Sequence, residues 1–309
     1  MDQFNVYKDM KARTNGEIYI GVVGPVRTGK STFIKRFMNL MVLPNIEDEN
    51  DRNRANDELP QSSSGKTIMT TEPKFVPNEA VSIKTEEGIE LNVRLIDCVG
   101  YMVEGATGHM EGEEERLVKT PWFDYEIPFT KAAAIGTKKV ITEHSTIGVV
   151  VTCDGSFGEI AAKQYEPAEE ETIKQLKALK KPFVVLLNTI HPYSESTKQL
   201  AAEKEEKYQT KVLPMNLEQM KKEDIYEIIK SVLMEFPISS IGFYVPRWTE
   251  MLKKDHPLKM ELLQMARDVI TEKTTMRDIY EEQEKEYEYI TGQKLESVAM
   301  DSGEVVITV

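Results

Sequence analysis

The feature that most constrains the fold is the sequence GPVRTGKS at residues 24–31, which matches the phosphate-binding pattern GxxxxGK[ST]. Residues 18–23 before it are apolar and rich in β-branched side chains, as in a buried parallel strand, and residues 32–38 after it have helical spacing. A strand, a glycine-rich loop and a helix are the context in which backbone N–H groups turn inward on an anion. The stretch therefore predicts a nucleotide-binding loop, and the alternative is an ordinary glycine-rich turn.

The individual loop residues suit this chemistry. Gly24 and Gly29 allow backbone angles and a close approach that a Cβ would forbid. Lys30 brings a positive charge near the β- and γ-phosphates of a nucleotide, and Ser31 offers a hydroxyl to Mg²⁺. The predicted nucleotide-binding residues are Gly24, Arg27, Thr28, Gly29, Lys30, Ser31, Thr32, Gly100 and Asn188.

Charge and cysteine content narrow the class of protein. The 309 residues carry a formal net charge of −13, which argues against nucleic-acid binding because phosphate-backbone recognition needs clustered Lys and Arg. The two cysteines, Cys98 and Cys153, lack metal-ligand spacing and fit a reducing compartment without a disulfide. No signal sequence and no apolar run of about 20 residues are evident, so we expect a cytoplasmic protein without a transmembrane segment.

A second motif, Asp97–Cys98–Val99–Gly100, follows a predicted β-hairpin. Residues 81–85 and 91–96 alternate between apolar and polar side chains around a glycine turn. The second strand of this hairpin delivers Asp97 to the sheet edge that also carries the loop, where a carboxylate can hold Mg²⁺ and Gly100 can offer its N–H to a γ-phosphate. The alternative for Asp97 is a capping carboxylate.

Two threonines are candidates for contact with the γ-phosphate. Thr70 and Thr71 lie just before a strand-like segment at residues 74–77, and in GTPase-like P-loop proteins a threonine in this position contacts Mg²⁺ and the γ-phosphate. An ordinary threonine-rich strand edge is the alternative.

The order of the remaining elements predicts an α/β fold. Helices and strands alternate to residue 236, which indicates a three-layer P-loop NTPase domain with a mainly parallel sheet. Residues 101–143 form a long insert whose aromatics, Trp122, Phe123, Tyr125 and Phe129, either make an interface or cover the sheet. From residue 237 to 309 we expect a mainly helical appendage, in which residues 238–244 could form a strand, residues 248–290 form one or two charged helices and residues 297–309 begin another strand-like element. The abrupt end at residue 309 suggests an incomplete fragment.

Several long stretches of the chain resemble the stage IV sporulation protein A family, closely over about the first 235 residues. The stretches that carry this resemblance are residues 21–34, 57–62, 65–77, 97–101 and 143–150. The family is similar in fold to translation-factor-type GTPases, but it uses ATP. Its members build the basement layer of the coat around the developing endospore.

The resemblance has consequences for mechanism and location. It implies a homopolymer whose assembly ATP hydrolysis drives, with other coat proteins and a small amphipathic membrane-docking peptide as partners. It places the protein in the mother-cell cytoplasm, at the forespore surface. Lys30, Asp97, Thr70 and Thr71 would be the catalytic residues, and Ser31, Thr70 and Asp97 would hold Mg²⁺.

Two departures from guanine-specific relatives bear on the reaction. Those relatives read the base with Asn-Lys-x-Asp, whereas residues 188–191 here are Asn-Thr-Ile-His, so the carboxylate that would accept from guanine is missing. Tyr101 stands where a water-orienting Gln would follow Gly100. Hydrolysis is therefore expected to be slow, or to depend on a group from another part of the chain or from a neighbouring subunit, with Arg27 and the two threonines as candidates. The alternatives to an ATPase are a GTPase-like switch and a scaffold that binds no nucleotide.

Overall fold

The computed structural model describes residues 5–60, 72–85, 88–106, 108–111, 114–158, 160–280 and 285–309. The chain divides into two compact units. The larger unit is Thr14–Val232, and the smaller one combines Met1–Arg13 with Leu233–Val309. These units are defined by contacts and do not test the predicted domain boundary at residue 236.

Helix α1 (Val6–Thr14) comes first in the chain and belongs almost entirely to the smaller unit. The elements of the larger unit come after it. In chain order they are β1 (Glu17–Val23), α2 (Lys30–Phe37), α3 (Glu49–Asp57), β2 (Lys74–Lys84), β3 (Glu90–Asp97), β4 (Met110–Glu111), β5 (Glu114–Glu115), β6 (Leu117–Thr120), β7 (Phe123–Pro128), α4 (Phe129–Lys139), β8 (Ile147–Cys153), α5 (Ala162–Ala178), β9 (Phe183–Asn188), α6 (Glu195–Tyr208), β10 (Val212–Met215) and α7 (Lys222–Met234). Helix α7 extends two residues past the boundary between the units.

A six-stranded mixed sheet forms the centre of the larger unit. Its strand order is β10-β9-β8-β1-β3-β2, and β2 alone runs antiparallel to its neighbour. Every residue of β8 and of β9 is buried, which explains their continuous apolar sequences. The α/β class and the predicted hairpin of β2 and β3 are confirmed.

Strand register decides which residues meet at the functional edge of this sheet. Val22 pairs with Asp97, Val23 pairs with Val150, and Cys153 pairs with Asn188. Because β1, β3, β8 and β9 are parallel, the segments that follow them emerge at one edge, where ligands bind in open α/β sheets.

The predicted long insert is wrong in its second half. Helix α4 begins at Phe129, which is fully buried together with Ala132 and Ala133, and Val140 just beyond the helix is buried too. Their i, i+3, i+4 and i+11 spacing is a helical signal that the aromatic residues nearby obscured. Tyr125 on strand β7 remains 61% exposed.

The smaller unit contains a sheet as well as helices. It comprises α1, β11 (Ser240–Tyr244), α8 (Pro257–Glu272), β12 (Lys294–Ala299) and β13 (Glu304–Thr308). The sheet order is β11-β13-β12, with β11 parallel and β12 antiparallel to β13.

The strands predicted at residues 238–244 and 297–309 are confirmed by β11 and β13, but the appendage is not helical throughout, because the helix predicted over residues 248–290 is limited, within the described residues, to α8. Helix α8 ends at Glu272, and the next turn is stabilised by Asp278, whose Oδ2 accepts the backbone N–H groups of Thr274 at 2.8 Å and Thr275 at 2.7 Å. An Asp carboxylate that accepts backbone N–H groups in this way competes with a continuing helix.

Arg13 attaches helix α1 to the rest of the smaller unit. Its Nε donates to the Met300 carbonyl at 2.7 Å, and its Nη1 donates to the Pro237 carbonyl at 3.3 Å. The guanidinium also lies 5.6 Å from the centre of the Phe236 ring. The first helix thus belongs by its contacts to a unit whose other residues come from the end of the sequence.

Candidate nucleotide site

The loop between β1 and α2 has the backbone of an anion cradle. Gly24 and Gly29 have φ angles of 126° and 102°, which L side chains rarely adopt. A Cβ at Gly24 would lie 2.4 Å from the Val151 carbonyl oxygen, so the loop approaches β8 more closely than another residue would allow. Gly29 is the N-cap of α2, and the positive end of that helix therefore points at the loop.

Lys30 is buried beneath this loop. Its side chain is only 5% exposed, and Nζ donates to the Pro25 carbonyl at 2.5 Å. Burial lowers the pKa of Lys30, whereas the proximity of Cys98 and Asp97 acts against that shift. A phosphate beside the ammonium would favour its charged form further.

Ser31 and Asp97 meet across α2 and β3. The Ser31 hydroxyl donates to Asp97 Oδ2 at 2.8 Å. The other carboxylate oxygen, Oδ1, is buried and has no hydrogen-bond partner within the described ranges. Burial raises the pKa of Asp97, with Lys30 and Ser31 acting in the opposite direction. A hydroxyl beside an unsatisfied carboxylate oxygen is a donor set that suits Mg²⁺.

Gly100 lies directly on the loop. Its φ angle is 94°, and a Cβ there would lie 2.1 Å from the Gly24 carbonyl oxygen and 2.8 Å from Lys30 Nζ. The next residue, Tyr101, accepts the backbone N–H of Val26 at 3.0 Å. Only a glycine fits between the loop and the segment that follows β3.

Asn188 anchors the loop from the end of β9. Its Nδ2 donates to the Thr28 carbonyl at 3.0 Å, and its Oδ1 accepts the Leu217 N–H at 3.2 Å. The side-chain amide therefore bonds to two other segments of the protein, which fixes the loop against the turn after β10.

The other predicted residues occupy different surroundings. Thr28 is fully buried and donates its hydroxyl to the Pro25 carbonyl at 3.0 Å. Arg27 is exposed, with a φ of 60°, and Thr32 is partly exposed in the first turn of α2. Thr70 and Thr71 lie outside the described residues. The structure thus brings Lys30, Ser31, Asp97, Gly100 and Asn188 around one loop.

Comparison with known proteins agrees with this geometry. The family model described as "Stage IV sporulation protein A, ATPase domain" matches residues 1–237, and the middle-domain model of the same family matches residues 238–309. The chain belongs to the stage IV sporulation protein A family. No helix within the described ranges is long and apolar enough to cross a membrane.

Curated members of the stage IV sporulation protein A family are similar along most of the chain. The protein from Clostridioides difficile (strain 630) is 54% identical over 89% of this chain and 56% of its own length. Those from Bacillus anthracis and Bacillus subtilis (strain 168) are 47% and 46% identical, each over 98% of this chain and 62% of the relative. The chain thus spans about three fifths of the length of these relatives.

A solved structure titled as a complex of SsGBP and GDP also matches, with a TM-score of 0.39 and 13% identity, over 70% of this chain and 51% of that chain. A likeness this distant says nothing about the site.

Several buried residues next to the nucleotide loop were not predicted from the sequence as part of the site. The thiol of Cys98 is buried and donates to the Val22 carbonyl at 3.4 Å, and burial raises its pKa to about 11. Val103 and Ala106, in the supposed insert, are also buried. The apolar residues that immediately follow Gly100 are the signal that could have indicated packing there.

Proposed function

We propose that the chain binds Mg²⁺-ATP at this loop and hydrolyses the nucleotide to ADP and phosphate. The observation that carries the proposal is the convergence of Lys30, the Ser31–Asp97 pair and Gly100 at one sheet edge. Membership of a family whose domain is described as an ATPase supports it. Ligands of open α/β sheets bind at the carboxyl ends of the parallel strands, and the loop lies at that edge.

The loop residues have distinct roles in the proposed site. Backbone N–H groups of Gly24, Arg27, Thr28, Gly29 and Thr32 surround the phosphates, and Lys30 supplies the charge that offsets them. Gly100 offers its N–H to the γ-phosphate, and Asn188 keeps the loop in place through Thr28. Because Tyr101 replaces a water-orienting Gln, we propose that turnover is slow.

The residues present fit a magnesium ion. The buried Oδ1 of Asp97 lacks a partner within the described ranges, and the Ser31 hydroxyl lies beside the same carboxylate. Ser31 and Asp97, with Thr70, would hold the ion. Bound there, Mg²⁺ would neutralise charge on the β- and γ-phosphates.

We expect D97N to raise the Mg²⁺ concentration needed for half-maximal ATP hydrolysis about 10- to 100-fold, because the amide removes the charge that holds the ion. A magnesium titration of the ATPase rate measures this. D154N is the matched control: Asp154 follows strand β8 at the same edge of the sheet, and its carboxylate accepts two local groups, the Ser156 N–H at 2.9 Å and the Cys153 thiol at 3.9 Å. Equal shifts in both variants would exclude Asp97 from the metal site.

Base preference separates the proposed ATPase from its alternatives. His191 stands where guanine-specific relatives place a carboxylate, and the Thr189 hydroxyl accepts the His191 N–H at 3.1 Å instead of facing a base. We expect ATP to compete with labelled ATP at least tenfold better than GTP does, which corresponds to about 1.4 kcal/mol. A GTP preference would support a GTPase-like switch, and binding of neither nucleotide would support a scaffold.

Thr70 and Thr71 remain proposed contacts of the γ-phosphate. If both hydroxyls contact this group during the reaction, the double alanine variant should retain ATP affinity and lose turnover. Equal loss of ATP and ADP affinity would contradict the role, since ADP lacks the γ-phosphate.

We further propose that hydrolysis drives self-association in the basement layer of the spore coat. The proposed location is the mother-cell side of the forespore surface, with an amphipathic peptide and coat proteins as partners. Membership of the sporulation family supports this setting. Sedimentation with ATP, with a non-hydrolysable analogue and without nucleotide tests the coupling, and equal pelleting in all three would exclude it.

A further inference from the structure

The three-stranded sheet of the smaller unit has an unpaired outer edge at β11. In the described part of the chain, β11 pairs with β13 alone. The Tyr244 carbonyl accepts the Val309 N–H from the β13 side, so the backbone groups of Tyr244 point into the sheet. Because this direction alternates along a strand, the N–H and C=O groups of Ile241 and Phe243 point outward, where a further strand can bind them.

Strand β11 lacks the features that usually keep an edge strand from pairing. Residues 236–246 contain no charged side chain, although 29% of the residues in the chain are charged, and the register of β11 with β13 has no bulge. The opposite edge strand, β12, carries Lys294 and Glu296, and its register shifts between Leu295 and Ser297. Charges and bulges disfavour pairing at an edge, so β12 is protected and β11 is not.

The apolar side chains of β11 are incompletely covered. Ile241 pairs with Val305, and Phe243 pairs with Ile307, so these side chains lie on one face of the sheet. Val305 and Ile307 are only 1% and 8% exposed, whereas Ile241 and Phe243 remain partly exposed. A further strand beside β11 would remove more apolar surface from water.

Gly242, at the centre of β11, is not required by any contact within the described chain. A Cβ there would be in ordinary contact with Val306 Cγ2 at 3.7 Å and with the Val305 carbonyl oxygen at 3.8 Å, and the φ of Gly242 is not in the left-handed region. A glycine weakens a strand interior and often marks a place where another backbone approaches closely. In an antiparallel pair, that closest approach is at residues that exchange no hydrogen bond, and Gly242 would be such a residue.

We infer that β11 pairs with β11 of a second copy, antiparallel about a two-fold axis at Gly242. In this register, Ile241 of each copy lies opposite Phe243 of the other, and the outward N–H and C=O groups of these residues bond to one another. A β-branched residue opposite an aromatic one is a favourable cross-strand pair. The strand is thus complementary to itself, as a two-fold contact requires.

Charge favours a second copy as the occupant of this edge. Each copy carries a formal net charge of −13, so two copies repel each other unless uncharged surfaces meet. A charged segment of another protein would find no opposite charge on β11. Tyr244 and Trp248, at the end of β11 and just after it, are 64% and 56% exposed, and both residue types are enriched at protein interfaces.

This inference rests on the proposed self-association and deepens it by naming one contact surface. A two-fold contact closes on two copies, so a polymer needs a second interface as well.

Charge reversal at residue 242 tests the two-fold pairing. G242K and G242E each place like charges opposite each other at the centre of the contact, so each should raise the Kd of the dimer at least about fivefold. An equimolar mixture of the two variants places opposite charges there and should return the Kd to within about twofold of the parent value. Sedimentation velocity of the full chain over a concentration series, without nucleotide, measures each Kd.

S297K is the matched control for the added charge. Ser297 pairs with Val306 from the β12 side, as Gly242 does from the β11 side, and both residues are exposed. The S297K variant should therefore keep the Kd of the parent chain. Equal increases in S297K and G242K would overturn the inference, as would a mixture that does not recover or a parent chain that stays monomeric.

Hydrogen exchange of the parent chain gives a second measurement that needs no variant. The amides of Ile241 and Phe243 should become protected as the protein concentration rises, whereas protection of the Tyr244 amide, which points toward β13, should not change. Equal protection of Ile241 and Phe243 at every concentration would overturn the inference, because another segment of the same molecule would then cover the edge. This measurement decides the inference even where G242K does not fold.

Failure of the proposed function is distinguishable, since neither measurement uses nucleotide. A chain that dimerises through β11 but binds no nucleotide overturns the ATPase proposal alone, and equal pelleting with and without ATP overturns only the coupling to hydrolysis. A chain that hydrolyses ATP and stays monomeric at every concentration overturns the contact alone. Gly242 lies outside the proposed nucleotide site, so G242K should hydrolyse ATP at the parent rate.

Discussion

Replacing Lys30 by alanine should lower ATP turnover about 10²- to 10³-fold, the usual effect of removing one preorganised group that stabilises charge in a transition state. The ammonium is buried against the loop and lies beside the segment carrying Gly100. No other described Lys or Arg side chain among the predicted site residues is buried. Without Lys30, the negative charge of the phosphates would be screened by water alone. Steady-state phosphate release with saturating Mg²⁺-ATP measures the change.

K35A is the matched control for this experiment. Lys35 lies on the same helix α2, one turn further along, and its side chain is exposed. Its removal should leave turnover unchanged. A correctly folded K30A variant with the turnover of K35A would refute the assignment of the loop.

The second large effect is expected for G100A. A Cβ would lie 2.1 Å from the Gly24 carbonyl oxygen, so either the nucleotide loop or the segment that follows β3 must move. Together with the strain of a φ of 94°, this should lower the free energy of unfolding by about 2–5 kcal/mol. Displacement of Gly24 and Lys30 should also abolish measurable turnover. Denaturant unfolding and ATPase assays check the two effects.

G105A separates the clash from the backbone strain. Gly105 has a similar φ of 85°, but a Cβ there would meet only the end of the Gln164 side chain, at 3.6 Å. We expect this variant to lose about 1–2 kcal/mol of unfolding free energy, the cost of the left-handed conformation alone, and to retain turnover. Comparable losses in both variants would show that crowding at Gly100 is unimportant.

Local patterns made much of the larger unit predictable. The loop motif identifies β1 and α2 because its strand and helix are adjacent in sequence. Alternation predicts β2 and β3, and continuous apolar runs predict β8 and β9, since each pattern reflects which faces of a strand are buried. The pairing of Ser31 with Asp97 follows from two strands that end at the same edge.

Contacts between distant segments could not be predicted in this way. The hydrogen bond from the Asn188 amide to the Thr28 carbonyl joins residues 160 positions apart. Sequence spacing does not indicate to which carbonyl that amide donates. Strands β11 and β13 lie within segments predicted as strands, but the sequence pattern does not indicate that they pair in parallel with a helix between them in sequence. The burial of Val103 and Ala106 in the loop after Gly100 could not be predicted either, because the apolar run there is too short to show a period.

The contact between Arg13 and Met300 has a consequence for folding during synthesis. The two residues are 287 positions apart, so the ribosome makes the helix long before it makes the carbonyl to which Arg13 donates. Domains generally fold as units as the chain emerges, and every residue of the larger unit is made between these two events. The nucleotide site can therefore form while the first helix still waits for its packing partners.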